Sequence, residues 1–370
     1  MKLEEAVKGP ALNGPAGEGT AGHLPYIQHL RRKALVIVLL LLATGVLGVY
    51  AVQAGSADLT PLQVLQTLLG RAEGRAAVIV WNIRLPRVLA AAVAGAGLAL
   101  AGCVMQNILR NPLASPFTLG ISQGAAFGAA AAIVGLGAGT TGSASVDAVV
   151  VQHAWSVTTL AFLGALAATL VVLVLAKYRG VSPESMVLAG VALGSLFSAA
   201  TVLLQYFANE VQVASIVFWT FGDLGRASWR DLGVMAAVTG AAALYFLACR
   251  WDYNALESGE ETARGLGVEV ERLRLTGMFL ASLVTAALVA FLGIIGFVGL
   301  VAPHLMRRLL GGDYRFLLPA SGAAGALLLL AADTLARTVV APVVLPVGAL
   351  TSFLGAPLFL YLLARGGQRR

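Results

Sequence analysis

Apolar runs of about 17 to 25 residues recur along nearly the whole chain, each long enough as a helix to cross a hydrocarbon core of about 30 Å. Few architectures can use so many of them. The runs are continuous rather than alternating, and barrel strands need only about 9–11 residues, so the spanning elements are helices and not strands. Composition agrees: 58% of the 370 residues are hydrophobic and 12% are charged, against roughly 25% charged in soluble domains. The chain reads as an all-α polytopic membrane protein.

Counting the runs gives ten spans, near residues 35–54, 86–106, 117–136, 156–176, 186–207, 232–249, 275–294, 296–309, 317–337 and 345–364. The seventh and eighth are divided by the turn Gly293-Ile294-Ile295-Gly296. An even number puts both termini on one side. With the N-terminus inside, Arg71, Arg75, Arg84, Arg87, Arg226, Arg230 and Arg337 fall outside, and the rest of the 25 Lys and Arg fall in cytoplasmic segments. That bias predicts N-in and C-in by the positive-inside rule.

Residues 1–33 lack periodicity and read as a disordered cytoplasmic tail, residues 34–365 as one transmembrane domain, and residues 366–370 as a second short tail. No cleavage site follows the first run, so it is not a cleaved signal. Residues 208–231 lie outside, with Trp219 and Trp229 expected at headgroup depth. Residues 251–274 lie inside and are the most charged stretch. The net charge of +7 fits cationic loops facing an anionic leaflet, and nucleic acid is excluded as a partner because no segment interleaves basic and aromatic residues.

Small residues are dense within the spans. Gly124 with Gly128, and Gly190 with Gly194, make faces on which helix backbones approach closely. Cys103 and Cys249 lie in or beside apolar runs, where packing is the plain reading. The segment Asn111-Pro112-Leu113-Ala114-Ser115-Pro116 reads as a structural turn, since its prolines break helices.

No P-loop lysine, H-E-x-x-H or G-x-S-x-G motif is present, so neither a nucleotide site nor a hydrolytic centre is built here. The chain is not read as an enzyme, and it is expected to bind no cofactor or metal. His304, followed closely by Arg307 and Arg308, suits a structural or gating role better than metal ligation, because no second ligand is near in sequence. Asp333, an acid in a span, raises the possibility of a proton relay. Arg337, one helical turn on, makes an ion pair the simpler reading. Gly259-Glu260-Glu261-Thr262-Ala263-Arg264-Gly265-Leu266-Gly267 reads as a short helix with acids in its first turn and a glycine stop. Such a helix is either solvated or docks into a groove of a soluble partner.

Taken together, RLPRVLAAAVAGAGLALAGCVMQNILRNPLASPFTLGISQGA (84–125), SGEETARGLGV (258–268), GIIGFVGLVAPHLMRRLLGGDYR (293–315), AADTLAR (331–337) and LPVGALTSFLGAPLFLYLL (345–363) resemble one family over residues 35 to 365. It is the FecCD-like permeases, the membrane subunits of ATP-binding-cassette importers for iron–siderophore complexes, haem and cobalamin. The resemblance implies the type II importer permease fold in the cytoplasmic membrane. It implies a homodimer, or a pseudo-dimer with a similar permease, two separate cytoplasmic ATPase subunits that hold ATP and magnesium, and an extracytoplasmic substrate-binding protein. It makes the segment around residues 251–274 the coupling region, with Gly259, Glu260, Glu261, Ala263, Arg264, Leu266 and Gly267 facing the ATPase. Arg84, Arg87 and Arg337 become the cations that receive acidic residues of the binding protein, as exposed, forked donors suited to carboxylates. Contact with lipid phosphate, or pairing within the chain, is the competing reading of the three. Iron–siderophore is the expected cargo, haem or cobalamin the alternative, and a proton-coupled carrier using Asp333 and His304 the alternative of another class.

Overall fold

The computed structural model describes residues 23–55, 59–71, 74–137, 154–179 and 182–366. Its helices are α1 (His23–Gln53), α2 (Pro61–Leu68), α3 (Arg75–Val78), α4 (Leu85–Ile108), α5 (Ile121–Gly135), α6 (Ala154–Arg179), α7 (Pro183–Phe207), α8 (Glu210–Thr220), α9 (Trp229–Ala248), α10 (Arg250–Glu257), α11 (Glu260–Gly265), α12 (Val270–Leu292), α13 (Val298–Leu310), α14 (Tyr314–Thr338) and α15 (Val347–Gly366). Seven of them, α1, α4 with its N-terminal extension, α6, α7, α9, α12 and α14, are long and apolar enough to cross a bilayer. The other three expected spans coincide with the shorter α5, α13 and α15. A 3-10 turn, Pro116–Leu119, precedes α5, and non-helical backbone at residues 293–297 precedes α13, which a bilayer tolerates where protein covers it.

The first helix takes in Arg31, Arg32 and Lys33, which the sequence reading had left in a tail. No proline or glycine separates them from the apolar run, so the helix continues outward through them. Residues 1–22 and 367–370 of the expected tails lie outside the described residues.

A second difference concerns the start of the second span. The helix is continuous from Arg75 to Ile108, and residues Ile79–Arg84 form a π-helical turn directly before α4. Pro86 has no N–H to continue the ladder. The Leu85 N–H reaches back five residues to the Val80 carbonyl, widening the turn ahead of the proline. Arg84 therefore closes a helix irregularity and Arg87 follows it, within one continuous helix and not at a helix start.

In α4, 78% of the apolar window is buried, against 11% in α1 and in α7, so α4 is the central post and the other two face outward. Close packing in lipid relies on small residues, since apolar surface gains little by leaving hydrocarbon. A Cβ at Gly95 would collide with the Gly325 backbone of α14, and one at Gly102 with the Gly299 backbone of α13. The expected Gly124 and Gly128 face meets Gly164 and Leu160 of α6 in the same way. Gly190 packs on the Thr118 carbonyl, whereas Gly194 makes only ordinary contact with Gln123. Trp219 is 4% exposed, packed among helices and not presented to headgroups as an anchor. Trp229 keeps an exposed edge and donates its indole N–H to the Trp81 carbonyl at 2.8 Å.

Candidate functional site

Polar side chains concentrate at the two ends of the bundle. At the outer end, the last turn of α1 presents carbonyls with no partner in their own helix, carrying the negative end of its dipole. Arg84 answers them, donating from Nη1 to Val52 O at 3.0 Å and Gln53 O at 2.6 Å. Arg337 does the same from α14, to Ala54 O at 2.8 Å and Ala51 O at 3.1 Å.

Arg337 Nε also donates to Asp333 Oδ2 at 3.0 Å, the pair expected from the spacing of one helical turn. Arg87 takes the other oxygen, with Nε 2.9 Å and Nη2 2.8 Å from Oδ1. Asp333 is fully buried, and a charge can stay there only when paired and hydrogen-bonded. Both of its oxygens meet that condition. The expectation that the three arginines stand exposed is not met: Arg84 and Arg337 are 4% and 7% exposed, because the carbonyls of α1 and the carboxylate of Asp333 draw them inward.

The loop after α8 completes this end; the sequence reading placed residues 208–231 outside but did not name Asp223. Asp223 Oδ1 lies 3.6 Å from Arg87 Nη2 and accepts from the Gly225 N–H at 2.8 Å. The loop is fixed to its surroundings by Asp223 N to Leu292 O at 2.8 Å and Gly348 N to Phe221 O at 3.1 Å. Arg226, itself exposed, donates to Phe218 O at 2.8 Å. Beside the loop opens a cleft of about 670 Å³ walled by Trp155, Phe218, Trp219 and Phe291. A Gly-Asp-x-Gly turn between spans was the available signal for this loop.

At the inner end, the predicted coupling segment forms α11, framed by Gly259 at φ 122° and Gly267 at φ 84°, backbone conformations that favour glycine. Its residues divide into two sets. Ala263 is fully buried, and Glu260 reaches inward to Arg274 of α12 at 3.0 Å while pairing along its own helix with Arg264 at 2.7 Å. Glu261, Arg264 and Leu266 face out, Leu266 with 70% of its surface exposed. The preceding helix α10 is lashed to three spans. Glu257 pairs with Arg307 of α13 and accepts from Asn107 of α4 at 3.0 Å, while Asn254 accepts from the Tyr314 N–H of α14 at 2.7 Å. Asp313, between α13 and α14, is bonded by Arg315 and Asn254. Burial pushes its carboxyl up, but those bonds outweigh it and hold it below the ordinary aspartate value. His304 packs edge-on against Phe359 of α15, ring centres 5.8 Å apart.

A long apolar bundle with a fixed cytoplasmic helix at one end and an arginine cluster at the other is the setting for the comparison with known proteins. The profile of the FecCD transport family matches residues 39–365. The chain belongs to the FecCD transport family. It is 55% identical, over 93% of its length and 98% of the other's, to a Methanocaldococcus jannaschii protein named as an ABC transporter permease. It is 39% identical to the hemin transport system permease protein of Yersinia pestis, over 91% of this chain and 96% of that one. Among solved structures it is similar to a metal-chelate type ABC transporter in an inward-facing conformation, with a TM-score of 0.78 and 31% identity over 90% of this chain and 99% of the other. This FecCD-family chain is therefore an ABC-transporter permease, a multi-pass protein of the cytoplasmic membrane.

Proposed function

We propose that this permease forms one half of the membrane path of an ATP-driven importer of a metal chelate, with an iron(III)–siderophore complex as cargo. Haem or cobalamin is the alternative cargo in the same machinery, and the hemin permease among the relatives supports that class. A second permease copy, identical or similar, completes the path. Two cytoplasmic subunits hold ATP and magnesium, and an extracytoplasmic binding protein delivers the chelate to the end bearing Arg84, Arg87 and Arg337. The chain itself binds no cofactor or metal and makes no covalent bond.

The observation that carries this reading is the mounting of α11. Its outer face, with Glu261, Arg264 and Leu266, is free to meet a soluble partner, and its inner face is bolted to α12 by Glu260 and Arg274. A push on α11 is thereby passed to the spans instead of being lost in a loose loop. Hydrolysis on the partner then biases an equilibrium between two access states. Asp333 supports the proton-coupled alternative poorly, because both its oxygens are engaged by arginines.

Reconstitution tests it directly. Proteoliposomes with the permease, the ATPase subunits and the loaded binding protein are expected to accumulate one of iron(III)–siderophore, haem or cobalamin only when ATP is supplied. Uptake that persists without the ATPase subunits and collapses with the proton gradient would instead establish a secondary carrier.

A further inference from the structure

We propose that Asp223 is an internal stand-in for a carboxylate of the delivering protein, so that docking at Arg87 is a competition between the two acids. The inference rests on the docking reading above and deepens it.

Two carboxylates approach Arg87, and they are held very differently. Asp333 is fully buried and lies 2.8 Å from Nη2, within the range of charge-assisted bonds. Its removal would strand a charge in the bundle. Asp223 lies 3.6 Å from the same nitrogen with 46% of its side chain exposed, so it can leave and return to water. An incoming acid meets a guanidinium already half-occupied from the outside, and the occupant it displaces is Asp223.

The neighbourhood is shaped for such an exchange. Gly225 lies over the guanidinium, where a Cβ would fall 2.8 Å from Nη1, so the absence of a side chain keeps Arg87 in reach of the loop. Displacement also has somewhere to go. The Asp223 N–H holds Leu292 at the end of α12, and Phe221 in the same loop holds Gly348 at the start of α15, so docking at Arg87 bears on the outer ends of both spans.

The test is the binding of the purified substrate-binding protein of the same transport system to the permease–ATPase complex in lipid nanodiscs, followed kinetically over a salt series. Asp223→Asn retains the acceptor for the Gly225 N–H and removes only the charge; Asp223→Ser does the same with a smaller group. Both are expected to bind about two- to five-fold tighter at low salt, the scale of an exposed ion pair, through faster association, with the gain fading as salt rises. Arg87→Ala is expected to weaken binding. If Arg87→Ala weakens binding and neither Asp223 variant tightens it, the stand-in role is wrong and the docking reading survives. If Arg87→Ala leaves binding unchanged, the docking reading fails and the stand-in falls with it.

Discussion

Arg87 and Asp333, 246 positions apart in sequence, meet at the outer end of the bundle with Nε 2.9 Å from Oδ1. The contact joins the central helix α4 to α14, and Arg337 on the second oxygen extends it to the C-terminal turn of α1. One buried carboxylate thus holds together three spans that lipid alone would not sort into place.

Removing that carboxylate leaves Arg337 without an anion and Arg87 with only the more distant, half-exposed Asp223. Asp333→Ala is expected to destabilise the protein by about 3–5 kcal/mol, the range found when one partner of a buried pair is deleted. Thermal unfolding in detergent reads the loss. An unchanged midpoint would mean that the α1 carbonyls suffice to hold Arg337 and Asp223 to hold Arg87.

The glycines separate by what a methyl group would strike. Gly102→Ala drives a Cβ into the Gly299 backbone and is expected to cost several kcal/mol or to prevent folding, as overpacking of a tight helix crossing does. Gly233, in α9, has nothing within 4 Å of the added atom, and Gly233→Ala is expected to be neutral or to gain up to about 1 kcal/mol from helix propensity. Paired unfolding measurements on the two variants compare crossing with open surface in one experiment.

Leu266 projects from the coupling segment without supporting the fold. Leu266→Glu is expected to abolish co-purification of the ATPase subunits while shifting the unfolding midpoint of the isolated permease by no more than a surface change does, about 0.5 kcal/mol. Retained co-purification would move the contact elsewhere on the cytoplasmic face.

Glu257 carries the link from α10 to α4 and α13. Glu257→Gln keeps an acceptor for Asn107 and discharges the pair with Arg307. The expected result is continued ATP hydrolysis with fewer cargo molecules imported per ATP, measured as a ratio in proteoliposomes. An unchanged ratio would show that motion of α11 reaches the spans only through Glu260 and Arg274.

What could be read before folding was whatever the chain encodes locally. Ten apolar runs sufficed to place the spans, because run length and bilayer thickness are compared residue by residue. The Asp333–Arg337 pair followed from helical spacing, and the turn at residues 293–296 followed from its glycines. Trp219 escaped the same treatment: an aromatic beside a span suggests an interface, yet neighbouring helices buried it.

The arginines mark the boundary most sharply. Sequence alone determined that Arg84, Arg87 and Arg337 lie at the outer ends of their spans, since charge and hydropathy settle depth in a membrane. Only the tertiary structure decided that they turn inward, toward carbonyls at residues 51–54 and a carboxylate at 333, and that Asp223 approaches Arg87 from a loop between α8 and α9. The reason is physical. Unpaired carbonyls and a desolvated charge need partners wherever the packed helices bring them, and linear spacing carries no record of which distant residue will supply them.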